Sequence, residues 1–290
     1  MKVIVFQGLK SSLTFIVPIF IFFSVLSSSA NAAMVGNEDD VLAQYVYTPS
    51  SDPVKQASTA LNDAKEQNKY ALIVLGAQWC HDSVGLAQRF SRHDMQEILE
   101  TRYVTQFIDI GYLQDRRDVT NLLGYPNYFA TPTVLVVDPE TNTIVNMDTI
   151  TVWQSADSVD LQIYQEQFSK WNKSSDQLVT QERSINPVLR AYEAEQAERL
   201  QQAYAALGPL LEASDKHSAS EKVKNERDYF FKLWGEVKHF RTNIQAQIHE
   251  FRTEQMFVGK ENKTAEPKAM NAQLKDAIEK VRLGTQSWEQ

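Results

Sequence analysis

One cysteine in 290 residues is the scarcest chemical resource of this sequence. It excludes an intramolecular disulfide and a thiolate zinc cluster within one chain. Basic residues are also short, with 29 Lys and Arg against 37 Asp and Glu and a formal charge of −8. A broad nucleic-acid surface needs the opposite balance, so nucleic acid is not an expected partner. No glycine-rich phosphate loop occurs, and no paired-carboxylate pattern has a convincing frame. His93, His217, His239 and His249 show no recognised ligand spacing, so neither a metal nor an organic cofactor is expected. With 43% apolar and 23% charged residues, a packed core is attainable and wholesale disorder is not expected.

Residues 1–32 read as a signal peptide. Lys2 and Lys10 supply positive charge, Leu13–Leu26 is mostly apolar, and Ala30-Asn31-Ala32 offers a small-x-small pattern with cutting before Ala33. The apolar run is short for a membrane anchor, and no later segment is apolar enough to span a bilayer. No stable span is therefore expected after cleavage. Cleavage leaves 27 basic residues against 37 acidic ones, a charge of −10. The expected location is the periplasm, with an extracellular, secreted destination as the alternative. Both are oxidising, and a lone cysteine is unusual there. Asn172-Lys173-Ser174 and Asn262-Lys263-Thr264 fit N-glycosylation acceptors, which matter only on a eukaryotic route.

The rest of the chain has two grammars. Residues 35–180 mix short apolar runs with helical patterns. Asp52–Gln67 reads as a helix, Tyr70–Gly76 as a buried strand, Ser83–Phe90 and Asp94–Leu99 as helices, and Val104–Ile110 as a strand. Leu113–Leu123 reads as helix. Thr133–Val137 and Asn142–Met147 read as a hairpin around Asp138–Asn142, and Ser155–Trp171 as a helix. The sum is an α/β domain with a mixed sheet.

Residues 181–290 carry almost no strand signal and read as an all-α helical hairpin extension. Asn186–Glu212 forms one helix, started by Pro187 and kinked or ended at Gly208-Pro209. In Ser218–Phe257, Val223, Phe230, Val237, Ile244, Phe251 and Val258 recur every seven residues, with Leu233, Trp234, Phe240 and Ile248 on the same broad face. Such a stripe needs a partner surface. The partner is the preceding helix docked on the α/β domain, another copy in a coiled coil, or a membrane or protein captured by the extension. Pro267–Arg282 reads as a short last helix.

The cysteine sits in Tyr70-Ala-Leu-Ile-Val-Leu-Gly-Ala-Gln-Trp79-Cys80-His81-Asp82-Ser83. A buried strand ends near Gly76 and a helix begins near Cys80. Unpaired backbone N–H groups at such a helix start favour thiolate over thiol. His81 adds positive charge when protonated, and Asp82 opposes it.

Trp79-Cys80-His81-Asp82-Ser83 after an apolar strand, with Ala130-Thr131-Pro132-Thr133 before another strand, resembles the thioredoxin-fold superfamily in a Cys-x-x-Ser variant. The resemblance covers roughly residues 52–150. It implies a thioredoxin-like mixed sheet flanked by helices, here followed by the all-α extension. It makes Cys80 the nucleophile and places Ser83 where the resolving cysteine stands, the two catalytic candidates. Pro132 becomes the cis-proline, and Thr131 offers backbone groups to substrate. Trp79 shapes the loop edge, and Tyr128 is a fourth candidate for substrate contact.

The sequence departs from the family pattern in three ways. Ser83 cannot form a disulfide with Cys80. Val74 stands where thioredoxin itself often holds a buried acid. Gly124–Pro132 is longer than the usual approach to the proline and adds aromatics near the groove.

A single cysteine can attack a disulfide, but it needs another thiol for release. The expected function is therefore formation of mixed disulfides with secreted or periplasmic clients, in disulfide exchange or isomerisation. Ser83 is a candidate hydrogen-bond donor to the Cys80 sulfur. The expected partners are protein or small-molecule thiols and disulfides, with a further protein partner on the helical extension. The alternative is a redox-inactive thioredoxin-like binding or scaffold protein that uses its groove or its helices.

Overall fold

The apolar run Tyr70–Gly76 is strand β1, and all seven residues are buried. The computed structural model describes residues 45–173, 186–216, 222–261 and 267–289, with backbone alone at 222–226, 253–261 and 267–270. The expected signal peptide, the side chains of the stripe positions Val223 and Val258 and the acceptor Asn262 lie outside what is described. Gly36–Gln290 form one compact unit.

Helix α1 (Pro53–Glu66) opens with a proline in its first turn, and Asp52 Oδ1 accepts the Lys55 N–H at 2.9 Å. Helices α2 (His81–Phe90) and α3 (His93–Arg102) follow β1, and strand β2 (Tyr103–Asp109) follows them. After α4 (Arg117–Leu122) come β3 (Thr133–Asp138) and the short β4 (Thr143–Ile144). The sheet order is β2-β1-β3-β4. β1 and β2 are parallel, whereas β3 runs antiparallel to both β1 and β4. A mixed sheet flanked by helices, followed by a long all-α region, is the fold class expected from the sequence.

Four local expectations are corrected. Leu113–Leu123 is helical only over α4, because Gly111 and Leu113 take positive φ of 55° and 60° in a turn. The fourth strand stops at Ile144, where Asn146 substitutes its side chain for the ladder. Its Oδ1 accepts the Val136 N–H at 2.8 Å, and its Nδ2 donates to the Val134 carbonyl at 3.0 Å. Ser155–Trp171 is a 3₁₀ segment, Ile150–Ser158, broken at Ser155, and then helix α5 (Leu161–Ser169). Gly208-Pro209 does not end its helix, since α6 runs from Pro187 to Lys216. Pro209 and Ala205 are exposed, so solvent can serve the Ala205 carbonyl that loses its donor. Gly208 has a tertiary task, because a Cβ there would lie 2.3 Å from the Tyr112 carbonyl oxygen.

Helix α7 (Lys222–Glu261) pairs with α6, and α8 (Pro267–Val281) and a 3₁₀ turn (Ser287–Glu289) close back on α6. The Tyr192 ring meets Phe251 edge-on at 5.9 Å near the start of α6. Leu207 and Trp234 line one small void near its other end, so the two helices run antiparallel. Stripe residues Phe230, Val237, Ile244 and Phe251 are buried. They share one hydrophobic core with Ile73, Leu75, Leu135 and Val137 of the sheet. The heptad face thus meets its own chain. The core interface is locked by Glu193, which accepts from Arg252 Nε at 2.6 Å and Nη2 at 2.8 Å.

Candidate functional site

Between β1 and α2 the chain makes a tight turn in which the Cys80 N–H donates to the Ala77 carbonyl at 3.2 Å. Cys80 is the N-cap of α2 in an extended conformation, and its side chain makes no cap bond to the helix. The sulfur turns instead to the segment before β3. Sγ lies 3.2 Å from the Thr131 carbonyl oxygen and accepts from Thr131 Oγ1 at 3.2 Å. The thiol can donate to that carbonyl. A thiolate cannot, but it keeps the Thr131 hydroxyl as donor. The Thr131–Pro132 peptide bond is cis. Sequence reasoning placed Cys80, Thr131 and Pro132 together, and the structure brings them together. Cys80 retains 8% of its surface and Thr131 7%.

Ser83 is fully buried, one turn into α2. Its Oγ accepts the Ala77 N–H at 3.4 Å, and its carbonyl oxygen accepts the Tyr47 hydroxyl at 3.4 Å. The expectation that Ser83 serves the sulfur is therefore corrected: the hydroxyl holds the loop backbone, and Thr131 serves the sulfur. Tyr47 was missed by the sequence reading. It is buried, and burial holds its phenol well above the ordinary tyrosine range. The available signal was the alternation Tyr45-Val46-Tyr47, in which both tyrosines are buried and Val46 is exposed. Gly76 permits this packing, since a Cβ there would lie 2.5 Å from the Tyr47 ring and 2.6 Å from Ser83 Oγ.

Trp79 borders the loop, as expected, and is half-buried. Its indole N–H donates to the Gly111 carbonyl at 2.8 Å, and its ring meets Trp234 of α7 at 6.3 Å and 81°. The helical extension therefore reaches the residue beside Cys80.

Tyr128 requires a correction. It has no exposed surface, stacks on Tyr204 of α6 at 5.0 Å, and donates its hydroxyl to the Gln114 carbonyl at 2.6 Å. It cannot touch a substrate from there. Its neighbours behave alike. Tyr204 donates to the Tyr128 and Phe129 carbonyls at 3.2 Å, and Asn127 Nδ2 donates to the Ala197 carbonyl at 3.2 Å. The long approach to Pro132 is a platform for the extension, and its aromatics do not line the groove.

His81 and Asp82 acquire a partner in Asp157, 76 and 75 positions later, too far along the chain for any local pattern to reveal. His81 Nδ1 lies 2.8 Å from Asp157 Oδ2 and 3.6 Å from Asp82 Oδ2, and the Asp157 N–H donates to Asp82 Oδ1 at 3.3 Å. Burial first, and the Asp157 carboxylate after it, push Asp82 up to about 6. The hydrogen bond from Asp82 first, helped by His81, lowers Asp157 to about 2. Of the two carboxyl groups, the more buried Asp82 is the one that takes up a proton more readily. The three donor atoms lie within 4.8 Å of one another, close enough to share a cation. Their mutual hydrogen bonds account for the arrangement without one. Asp109 carries no part of this cluster. Its carboxyl is raised by burial and takes a bond from the Gly111 backbone in the turn that follows β2.

Residues 52–139 match a family described as thioredoxin-like. That stretch runs from the cap of α1 through the Cys80 loop to the end of β3. It is a thioredoxin-like fold domain. The solved structure of a disulphide isomerase from Xylella fastidiosa Temecula1 aligns over 43% of this chain and 94% of its own, at 22% identity and a TM-score of 0.40. A likeness of that order carries no argument about function. No curated protein matches the chain. Among the described residues, no helix is long and apolar enough to cross a membrane.

Proposed function

We propose that this chain is a thiol-reactive thioredoxin-like protein that forms mixed disulfides with client proteins through Cys80, in the service of disulfide exchange or isomerisation. The observation that carries this reading is the cysteine at a helix start, its sulfur 3.2 Å from both Thr131 oxygens beside Pro132. In the first step the Cys80 thiolate attacks one sulfur of a client disulfide. A new S–S bond forms, and the other client sulfur leaves with the electron pair as a thiolate. Thr131 holds the sulfur, and Thr131 and Pro132 align the client chain. Ser83 steadies the loop and forms no second disulfide. Release requires a thiolate from the client or from glutathione to attack the mixed disulfide. When the client's own thiol does so, its pairing is changed with no net oxidation. Residues 1–32 act as a cleaved leader in this reading, the α/β region occupies residues 35–180 and the helical extension 181–290. The periplasm is the compartment in which such chemistry has substrates.

Mass spectrometry of the native protein after incubation with oxidised glutathione tests this. The expected result is a reducible glutathione adduct in the wild type and none in Cys80→Ser. A second reading, a redox-inactive binding protein, draws on the 8% exposure of Cys80 and on the packing of α7 against Trp79. It takes over if Cys80 stays unmodified in the folded protein and reacts only after denaturation.

A further inference from the structure

In a chain of net charge −8, three stretches beside the Cys80 loop hold no carboxylate side chain: residues 110–114, residues 199–211 of α6 and residues 237–249 of α7. The fold brings them together. Trp79 donates its indole N–H to the Gly111 carbonyl, the Tyr112 carbonyl lies against Gly208, and Leu113, Leu207, Trp234, Lys238 and Arg241 line one small void. The void is too tight for a ligand, but its rim is cationic. Trp234, Lys238 and Arg241 follow one another at spacings of four and three on α7, so they share one helix face. Lys238 is exposed. Arg241 is half-buried, with its guanidinium 5.9 Å from the centre of the Trp234 ring and beside the Tyr204 hydroxyl. Among the described residues, α7 makes ion pairs through Lys232 with Glu236 and through Arg252 with Glu193, whereas Lys238 and Arg241 make none. The acids that bound these stretches are largely engaged already: Asp115 and Glu198 with Arg117, Glu212 with Lys216, Glu236 with Lys232. A lone exposed lysine would mean little. Two cations on one face, one of them half-buried, with no acid placed to meet them, leave room for a carboxylate from outside.

We propose that Lys238 and Arg241 bind an Asp or Glu side chain of the client polypeptide while the client disulfide meets Cys80. The proposal rests on the mixed-disulfide reading and adds to it the class of client. The guanidinium offers a planar fork of donors that matches a carboxylate, and Lys238 adds a mobile point charge beside it. Trp79 meets Trp234 at 6.3 Å and Trp234 carries Arg241 at 5.9 Å, so the guanidinium lies at most about 12 Å from the Trp79 ring. An extended chain advances about 3.3 Å per residue, which puts the bound carboxylate about four positions from the client cysteine. A polypeptide fits better than an anionic membrane. The net negative charge of the chain opposes its approach to a phospholipid surface, whereas one carboxylate at the rim meets the local cations.

The test uses the full chain and short peptides whose one cysteine is a thiopyridyl mixed disulfide. Attack by the Cys80 thiolate joins its sulfur to the peptide sulfur, and the thiopyridyl sulfur leaves with the electron pair as thiopyridone, which is read by absorbance. The peptides are twins with Glu or Gln at one position, about two to five residues before or after the cysteine. Rates are divided by those with 2,2′-dithiodipyridine, so that changes in the thiol itself cancel. At least one Glu peptide is expected to react about fivefold faster than its Gln twin in dilute buffer, and about 0.5 M salt should remove most of the difference. The double variant Lys238→Gln, Arg241→Gln should lose the preference. Lys238→Glu, a change at an exposed position, should lose most of it. Arg190→Gln removes an exposed charge from the first turn of α6 and should keep it. Twins that react alike at every position overturn the proposal. So does a preference that survives in the double variant, or in Lys238→Glu where the double variant does not fold. An effect of Lys238→Glu confined to oxidised glutathione, or to anionic phospholipid vesicles, overturns it as well, since the cations then serve a small thiol or a membrane. Silence towards 2,2′-dithiodipyridine sinks the mixed-disulfide reading by itself. Noncovalent binding of fluorescent, cysteine-free twins then decides the cations: tighter binding of the Glu peptide, lost in Lys238→Glu, keeps the carboxylate site, and equal binding ends it.

Discussion

On β1, Tyr70, Leu72 and Val74 face one hydrophobic core, and Ala71, Ile73 and Leu75 face the other. β3 repeats the alternation, with Val134 and Val136 on the first side and Leu135 and Val137 on the second. The first side is closed largely by aromatic rings. Phe90 meets Tyr164 edge-on at 6.1 Å and Phe168 at 5.0 Å, and Trp153 lies 4.9 Å from both of those rings. Every one of these residues falls between residues 90 and 168. The second side carries small residues, Ala57, Ala60 and Ala64 of α1 among them, and its core continues into α6, α7 and α8. One face is therefore completed locally and the other only by the extension. The thiol loop sits at the end of β1, where both faces meet, which is how α7 comes to touch Trp79.

Ending the chain after Gln181 is the strongest way to break this comparison. It would open Tyr125, Tyr128, Phe129, Leu135 and Val137 to water together. The expected outcome is a chain with no cooperative heat-absorption peak in calorimetry. A sharp transition in a monomeric truncated chain would mean that the α/β region stands alone. Phe168→Ala attacks the other face and should cost about 3–5 kcal/mol, read from the urea midpoint, because the ring is buried among other rings.

At the seam between sheet and extension, Arg252→Met leaves the buried Glu193 carboxylate without its partner, at a cost of about 3 kcal/mol. Adding Glu193→Gln should recover most of that loss. A single variant as stable as wild type would show that the pair contributes little to docking. The smallest effect is expected at the loop. The Asp82 carboxyl is held at about 6, above its unfolded value of about 4, so the folded state binds this proton more tightly. Its contribution to stability is fully present below about pH 4 and is lost as the pH rises through about 6. Asp82→Asn should remove that decline, so its melting temperature should rise relative to wild type between pH 4 and pH 7. A constant difference across that range would count against it.

Much of the frame was legible because its causes are local. The unbroken apolar run of β1, Asp52-Pro53 at a helix start and the β-branched run at Thr133 each fix their element from neighbouring residues. The helical stripe was also readable, since a face as wide as Phe230 to Phe251 has to be covered. Other features depended on residues far apart in sequence. Tyr128 reads as a groove aromatic until Tyr204, 76 positions later, covers it. Gly208-Pro209 reads as a helix kink or end until Tyr112 is seen to need the space at Gly208.

The sequence by itself determined that one thiol stands where a buried strand turns into a helix, without a second cysteine to resolve it, and that a threonine and a proline precede a later strand. Those facts follow from residue identity and from periodicities a few residues long. Tertiary structure alone decided that Thr131, and not Ser83, serves the sulfur, that the Asp157 N–H donates to Asp82, and that Trp234 borders the loop. Each of these contacts joins residues about 50 to 155 positions apart. Which long-range pair forms is settled by how the sheet and helices pack, a choice that no local pattern encodes.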